Sequence, residues 1–202
     1  SGGVGRWCGL CVGENATVNV FRSSFRGFGL GTSAGTGGHL QLFEGTTVQD
    51  NLCSGVDAST GAALTVHSGV RIANNGSSCF GGGIRVDTAA TLSFYSDNVP
   101  GRRVEVVDNV GGGIDLNHRA LAYLDADSVP SGNTAGWGLS VRNGSMAIAS
   151  FPWASPPRPI TVSNPGGDLY CDSISHINNA AQITGATNYS CGNLSSDHGR
   201  GP

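Results

Sequence analysis

The chain has 202 residues, room for one substantial domain, with 33 Gly, 12% charged residues and a net charge of -3. All 11 basic residues are Arg, and none is Lys. No apolar run reaches the length of a membrane span, charge is too sparse for a coiled coil, and the lack of a basic cluster argues against nucleic acid.

After a polar lead-in, residues 1–8, the chain begins a tetrapeptide of small, aliphatic, any, aliphatic: Gly9-Leu10-Cys11-Val12. A turn-prone stretch and the alternating strand Val18-Asn19-Val20 follow. The next clear tetrapeptide is Gly55-Val56-Asp57-Ala58, and the gap between the two leaves room for one more coil. Leu40-Gln41-Leu42 supplies its second strand and Val48 its third.

The pattern then repeats. Gly55 leads to Leu64-Thr65-Val66 and Ile72-Ala73-Asn74-Asn75. Gly83-Ile84-Arg85-Val86 leads to Leu92-Ser93-Phe94 and Val106-Val107-Asp108-Asn109. Gly113-Ile114-Asp115-Leu116 leads to Leu121-Ala122-Tyr123, and Gly138-Leu139-Ser140-Val141 to Met146-Ala147-Ile148. Ile160-Thr161-Val162-Ser163-Asn164 is a looser third strand, and Asp168-Leu169-Tyr170-Cys171 a weaker tetrapeptide with a faint strand around Ile177. From Val56 the anchors advance by 28, 30, 25 and 30 residues.

Three short strands per repeat and no helical period predict an all-β fold, a right-handed parallel β-helix of about 6–7 coils over residues 9–191. Residues 192–202 read as a flexible polar tail. One coil cannot bury its own aliphatic face, so a core requires stacked coils about 4.8 Å apart. The predicted inward columns are Leu10, Val56, Ile84, Ile114, Leu139, Leu169 and Val18, Leu40, Leu64, Leu92, Leu121, Met146. Gly ahead of each strand fits a corner where a Cβ collides or φ is positive. Asn51, Asn75 and Asn109 share one register and read as a ladder of stacked amides.

The Gly81-Gly82-Gly83-Ile84 and Gly111-Gly112-Gly113-Ile114 segments, each preceded by aliphatic-x-x-Asn, resemble the repeats of right-handed parallel β-helix proteins of the pectin-lyase-like superfamily. They are similar in particular to polymorphic outer-membrane-protein repeats, although Val or Ile stands where those carry Phe. The resemblance implies the architecture and a cell-surface setting, and the superfamily also includes polysaccharide lyases and hydrolases. Likeness to pectate lyases would imply clustered Asp for calcium with a basic residue; likeness to polygalacturonases, paired Asp with a His loop.

Chemistry candidates are few. Asp125 and Asp127, spaced i, i+2, could share a strand face, but they precede Ser128-Val129-Pro130 and read more simply as a solvated turn. Asp57, Arg85 and Asp115 form an outward row of alternating sign, which favours a charge ladder over an acid/base or calcium site. His39 has no paired-Asp partners. Thr is too scattered for a regular ice-binding face. No cofactor or metal is expected.

The six Cys contain no paired CxxC motifs and favour disulfides in an oxidising compartment. Cys53 and Cys79 fall at corresponding places one coil apart, within bridging range. Cys171 and Cys191 would tie down the last coil. Cys8 and Cys11 either bridge each other or link to an adjoining segment. Of five N-x-S/T triplets, Asn15, Asn143, Asn188 and Asn193 are candidate glycan sites, while Asn75 belongs to the ladder.

Insertions after the second strand of successive coils crowd one side of the rod. They offer a candidate binding loop surface of Arg102, Arg103, Phe151, Trp153 and Arg158. The first expectation is a non-catalytic extracellular structural or adhesive β-helix, a segment of a cell-surface or filament-forming glycoprotein stacked end to end on other segments or subunits. The alternatives are a polysaccharide lyase or hydrolase using outward Asp and Arg, and a glycan-binding module using the long-loop face.

Overall fold

The structure, a computed structural model, describes residues 7–77, 81–97, 99, 101–125, 128–149, 160–178, 183–191 and 194–195. The chain is a parallel β-solenoid with three parallel sheets and three strands per turn. Strands are numbered in chain order. The first sheet stacks β1 (Cys8–Val12), β4 (Leu30–Ala34), β7 (Val56–Ala58), β10 (Ile84–Val86), β13 (Ile114–Leu116), β16 (Leu139–Val141), β19 (Leu169–Cys171) and β22 (Tyr189–Ser190).

The second sheet stacks β2 (Thr17–Val20), β5 (His39–Leu42), β8 (Ala63–His67), β11 (Thr91–Tyr95), β14 (Leu121–Leu124), β17 (Met146–Ala149), β20 (His176–Asn178) and β23 (Leu194–Ser195). The third stacks β3 (Ser24–Arg26), β6 (Thr47–Gln49), β9 (Arg71–Ala73), β12 (Val104–Val107) and β15 (Ser128–Ser131). Among the described residues, about five turns therefore place a strand in all three sheets, fewer than the six to seven coils expected. The first two sheets run on, and a separate pair, β18 (Ile160–Thr161) and β21 (Ile183–Thr184), lies beyond β15.

Alternate residues of each strand point inward, and parallel pairing in register stacks them from turn to turn. Val56, Ile84, Ile114, Leu139 and Leu169 form one inward column. Between Leu10 and Val56 that column holds Thr32, fully buried, with a hydroxyl that has no hydrogen-bond partner. The sequence pattern missed β4 because Thr32 and Ala34 replace the two aliphatics.

The second column begins as expected with Val18, Leu40, Leu64 and Leu92, then departs. Leu92 pairs with Ala122, and Ala122 with Ala147, both fully buried or nearly so, while Leu121 and Met146 are half-buried on the outer face. Leu124 and Ala149, one inward step later, fill the next position beside Phe94. The inward pair is Leu92 and Phe94 in β11, Ala122 and Leu124 in β14, and Ala147 and Ala149 in β17, and a search for the bulkiest aliphatic misreads the last two strands by one residue.

β3, around Phe25, and β15 were also missed. β15 carries Pro130 opposite Val106, and Pro130 has no N–H to give. It is accommodated because β15 is the edge strand of its sheet. At the chain's two ends, β1 begins at Cys8, inside the expected lead-in, and β23 pairs with β20, so the solenoid continues past residue 191.

Gly55, Gly83, Gly113 and Gly138 precede first-sheet strands and Gly31 lies within β4, and close approach rather than positive φ demands them. A Cβ at Gly83 would lie 2.3 Å from Val106 Cγ1 and 2.8 Å from Asn109 Nδ2. One at Gly138 would lie 2.0 Å from Asn164 Nδ2. Positive φ falls instead at other turns, among them Thr60, Thr88, Ala89, His118 and Arg119 between the first and second sheets and Asp50, Asn74 and Asp108 after the third. The turns between the first and second sheets bond from coil to coil, as in Ala89 N to the His118 carbonyl at 2.9 Å and Arg119 N to the Asn143 carbonyl at 3.1 Å.

Candidate functional site

Three arrangements follow one another around the first sheet: a buried amide ladder at one corner, an outward row of charges, and a groove beside that row. Each follows from the register of the coils.

Asn51, Asn75 and Asn109 lie in one line, and the line continues through Asn133 and Asn164. Asn51, Asn75, Asn109 and Asn133 each come three residues after a buried side chain of the third sheet, Val48, Ile72, Val106 and Pro130, and Asn164 comes two after buried Val162. The Nδ2 of one Asn donates to the Oδ1 of the next at 2.9, 3.0, 3.0 and 2.8 Å along the row. The second hydrogen of each Nδ2 goes to a carbonyl of the preceding turn, such as Asn75 to Val48 at 3.0 Å and Asn164 to Pro130 at 2.9 Å. Phe28 N closes one end on Asn51 Oδ1, and Asp168 Oδ1 closes the other by accepting from Asn164 N at 2.8 Å. Asn133 escaped notice in the sequence because Pro130 disguises its strand.

Asp168 is nearly fully buried. Burial works to raise its pKa, but the backbone N–H groups of Asn188, Thr187 and Asn164 outweigh it and hold the carboxyl below its usual range. It is the acidic terminus of an otherwise neutral ladder.

The outward row of the first sheet reads Asp57, Arg85, Asp115, Ser140 and Tyr170. Its charges do not pair simply along the row. Arg85 Nη2 meets Asp87 Oδ2, two residues on in its own chain, at 2.6 Å. Asp115 is gripped by Arg142, whose Nη2 reaches both carboxylate oxygens at 2.7 and 2.6 Å. Asp87 also holds Thr88 Oγ1 at 3.1 Å and His118 Nδ1 at 2.7 Å. Burial tends to raise the Asp87 pKa, and its bonds to His118, Arg85 and Thr88 bring it below the ordinary value. Asp57 behaves in the opposite way: burial raises its pKa against the pull of Arg85.

Beside this row, a groove of about 590 Å³ opens over the glycine corner. Its wall is Trp137 and Tyr170, whose ring centroids are 5.5 Å apart, and its polar rim is Arg85, Asp115, Ser140 and Arg142. Trp137 lies on Gly167, where a Cβ would come within 2.4 Å of the indole. Trp137 was not singled out in the sequence; the signal is an aromatic set between Gly136 and Gly138 at the corner before β16.

A second aromatic cluster follows the second sheet. Phe21, Phe43 and His67 stack at 4.3 and 4.1 Å, and Tyr95 lies 5.2 Å beyond. These rings cover one another's faces. Burial lowers the His67 pKa against the attraction of Asp97.

The remaining expected site residues are dispersed. Arg102 bridges Asp97 at 2.7 Å and Glu44 at 2.8 Å, pinning its loop, and the Arg103 carbonyl accepts Gly69 N at 2.8 Å. Phe151, Trp153 and Arg158 lie outside the described residues. Asp125 is buried and accepts Ser96 N at 2.7 Å rather than standing in a solvated turn; Asp127 lies outside the described residues.

Cys8 bridges Cys11 and Cys171 bridges Cys191, with Cα–Cα distances of 6.0 and 4.6 Å. Cys53 is disulfide-bonded; Cys79, its expected partner, lies outside the described residues. Asn15, Asn143 and Asn188 are exposed, and Asn193 lies outside the described residues. Among the described residues, no group of three His, Cys, Asp or Glu side chains is placed to hold a metal ion. Compared with protein families, with curated proteins and with solved structures, the chain matches none.

Proposed function

We propose that the chain is a non-catalytic structural or adhesive β-solenoid of an extracellular or cell-surface protein, of the kind its resemblance to polymorphic outer-membrane-protein repeats implies. The observation that carries this reading is the pairing of Asp115 with Arg142. The carboxylate that lines the groove is held through both oxygens by the Arg142 guanidinium, which makes it a fixed structural contact rather than a free group at the groove. The disulfides at Cys8–Cys11 and Cys171–Cys191 fit an oxidising compartment. The amide ladder and inward columns make shape and stiffness the natural products of the fold.

The alternative, a polysaccharide lyase or hydrolase, draws on Asp57, whose raised pKa is a property of general acids. Incubating the purified chain with neutral and acidic polysaccharides, and following new reducing ends and unsaturated products, separates the two. The structural reading expects no turnover. Turnover abolished by Asp57→Asn would overturn it.

A further inference from the structure

We infer that the groove walled by Trp137 and Tyr170 is a binding site for a neutral oligosaccharide. This deepens the adhesive side of the proposed function and rests on that reading.

The site combines the two features that saccharide recognition needs. The first is an apolar platform for the C–H face of a pyranose ring. Trp137 is half-exposed and supported from beneath by Gly167, with Tyr170 set at 33° beside it, so the two rings form a bent wall rather than a closed stack. The second is a rim of groups that both donate and accept. A guanidinium has five N–H donors, and Arg142 spends only its Nε and Nη2 on Asp115. Its Nη1 hydrogens, the remaining carboxylate lone pairs and Ser140 are matched by sugar hydroxyls.

Charge selects against a polyanion. Both arginines of the rim already carry a carboxylate partner, Asp87 for Arg85 and Asp115 for Arg142, so the groove offers no net positive field. The dimensions fit a short chain rather than a single sugar. Arg85, Asp115, Ser140 and Tyr170 lie on four successive strands of the first sheet, a span of about 14 Å at the spacing of parallel strands. The volume of about 590 Å³ lies within the usual range for small-ligand sites. The backbone floor is closely packed, since a Cβ at Gly111 or Gly136 would strike the carbonyl of the adjacent coil.

The test is titration of the whole chain with cello-, malto- and manno-oligosaccharides and with oligogalacturonate, read by calorimetry and by chemical-shift perturbation. The inference expects saturable binding to at least one neutral series, with shifts at Trp137 and Tyr170. Trp137→Ala should weaken that binding at least tenfold and Arg142→Gln several-fold, while Trp137→Phe retains part of it. A Trp7→Ala control should leave binding unchanged. Circular dichroism of each variant reports whether the fold is intact, and Arg142→Gln keeps the test valid should Trp137→Ala misfold. Absence of binding to every neutral series, binding indifferent to both Trp137→Ala and Arg142→Gln, or a preference for oligogalacturonate would each overturn the inference while leaving a purely structural role standing. Cleavage of the bound saccharide would instead defeat the non-catalytic reading and leave the site in place.

Discussion

Asn75 donates from both its backbone nitrogen and its Nδ2 to a single atom, Asn109 Oδ1, at 3.0 Å each. Asn109 repeats the arrangement on Asn133 and returns its own Nδ2 to the Ile72 carbonyl at 3.2 Å. Truncating Asn109 to Ala therefore removes the side-chain acceptor of Asn75 N and takes one bond each from Asn75 Nδ2, the Ile72 carbonyl and Asn133 Oδ1, on the two neighbouring coils. Each such group costs about 1–3 kcal/mol, and the whole substitution on the order of 3–5 kcal/mol. Urea unfolding of Asn109→Ala against the parent measures it; a loss below about 1 kcal/mol would show that water or relaxation satisfies those groups.

Two substitutions at small residues should act in opposite directions. Gly83→Ala places a methyl group 2.3 Å from Val106 Cγ1 and 2.8 Å from the Gly113 carbonyl, and should cost roughly 3 kcal/mol. Ala89→Gly relieves a φ of 58° and should add about 1 kcal/mol, against the usual sign for that exchange. Thermal midpoints of the two variants, one below and one above the parent, are the expected result.

How far the architecture could be read in advance depended on which positions carried distinctive side chains. The first-sheet column from Val56 to Leu169 was legible because Gly-aliphatic-x-aliphatic recurs there with little change. β4 was hidden by Thr32 and Ala34, and β15 by Pro130, whose place at a sheet edge is a tertiary fact. Hydrophobicity alone points Leu121 and Met146 inward, whereas the strand register aligns Ala122 and Ala147 with the buried Leu92. The groove was the least legible part. Trp137 and Arg142 flank β16, and they meet Asp115 of β13 and Tyr170 of β19 only when three turns are stacked.

Thr32 is a specific weakness in an apolar column. Its hydroxyl is buried without a partner between Leu10 and Val56. Thr32→Val keeps the shape and removes the unsatisfied group, and should stabilise the fold by about 1 kcal/mol. Denaturant midpoints with an unchanged slope would establish this; destabilisation would mean that the hydroxyl has a partner in solution.

Acid should weaken the ladder from its Asp168 end. An Asp with a folded pKa below its unfolded value of about 3.9 contributes stability that is present above that value and lost as pH falls through the folded pKa. Asp57, raised by burial, acts in the opposite sense: its contribution is favourable at low pH and lost as pH rises. Thermal midpoints across pH should therefore show Asp168→Asn less stable than the parent at neutral pH, with the gap closing below pH of about 3.9. Asp57→Asn should be at least as stable as the parent at neutral pH. A gap for Asp168→Asn that is constant with pH would contradict the assignment.

The account as a whole requires that the coils behave as one locked rod, with the Asn column as its spine. Hydrogen exchange at the backbone amides of Asn51, Asn75, Asn109 and Asn133 tests this most directly, since each of these N–H groups bonds to a side chain of the next coil. The expected result is exchange only through global unfolding, as slow as at the buried strand residues Ile72 and Ile114. Exchange at the rate of the exposed turn at Gly101 would mean that the coils open independently, and would contradict the locked rod.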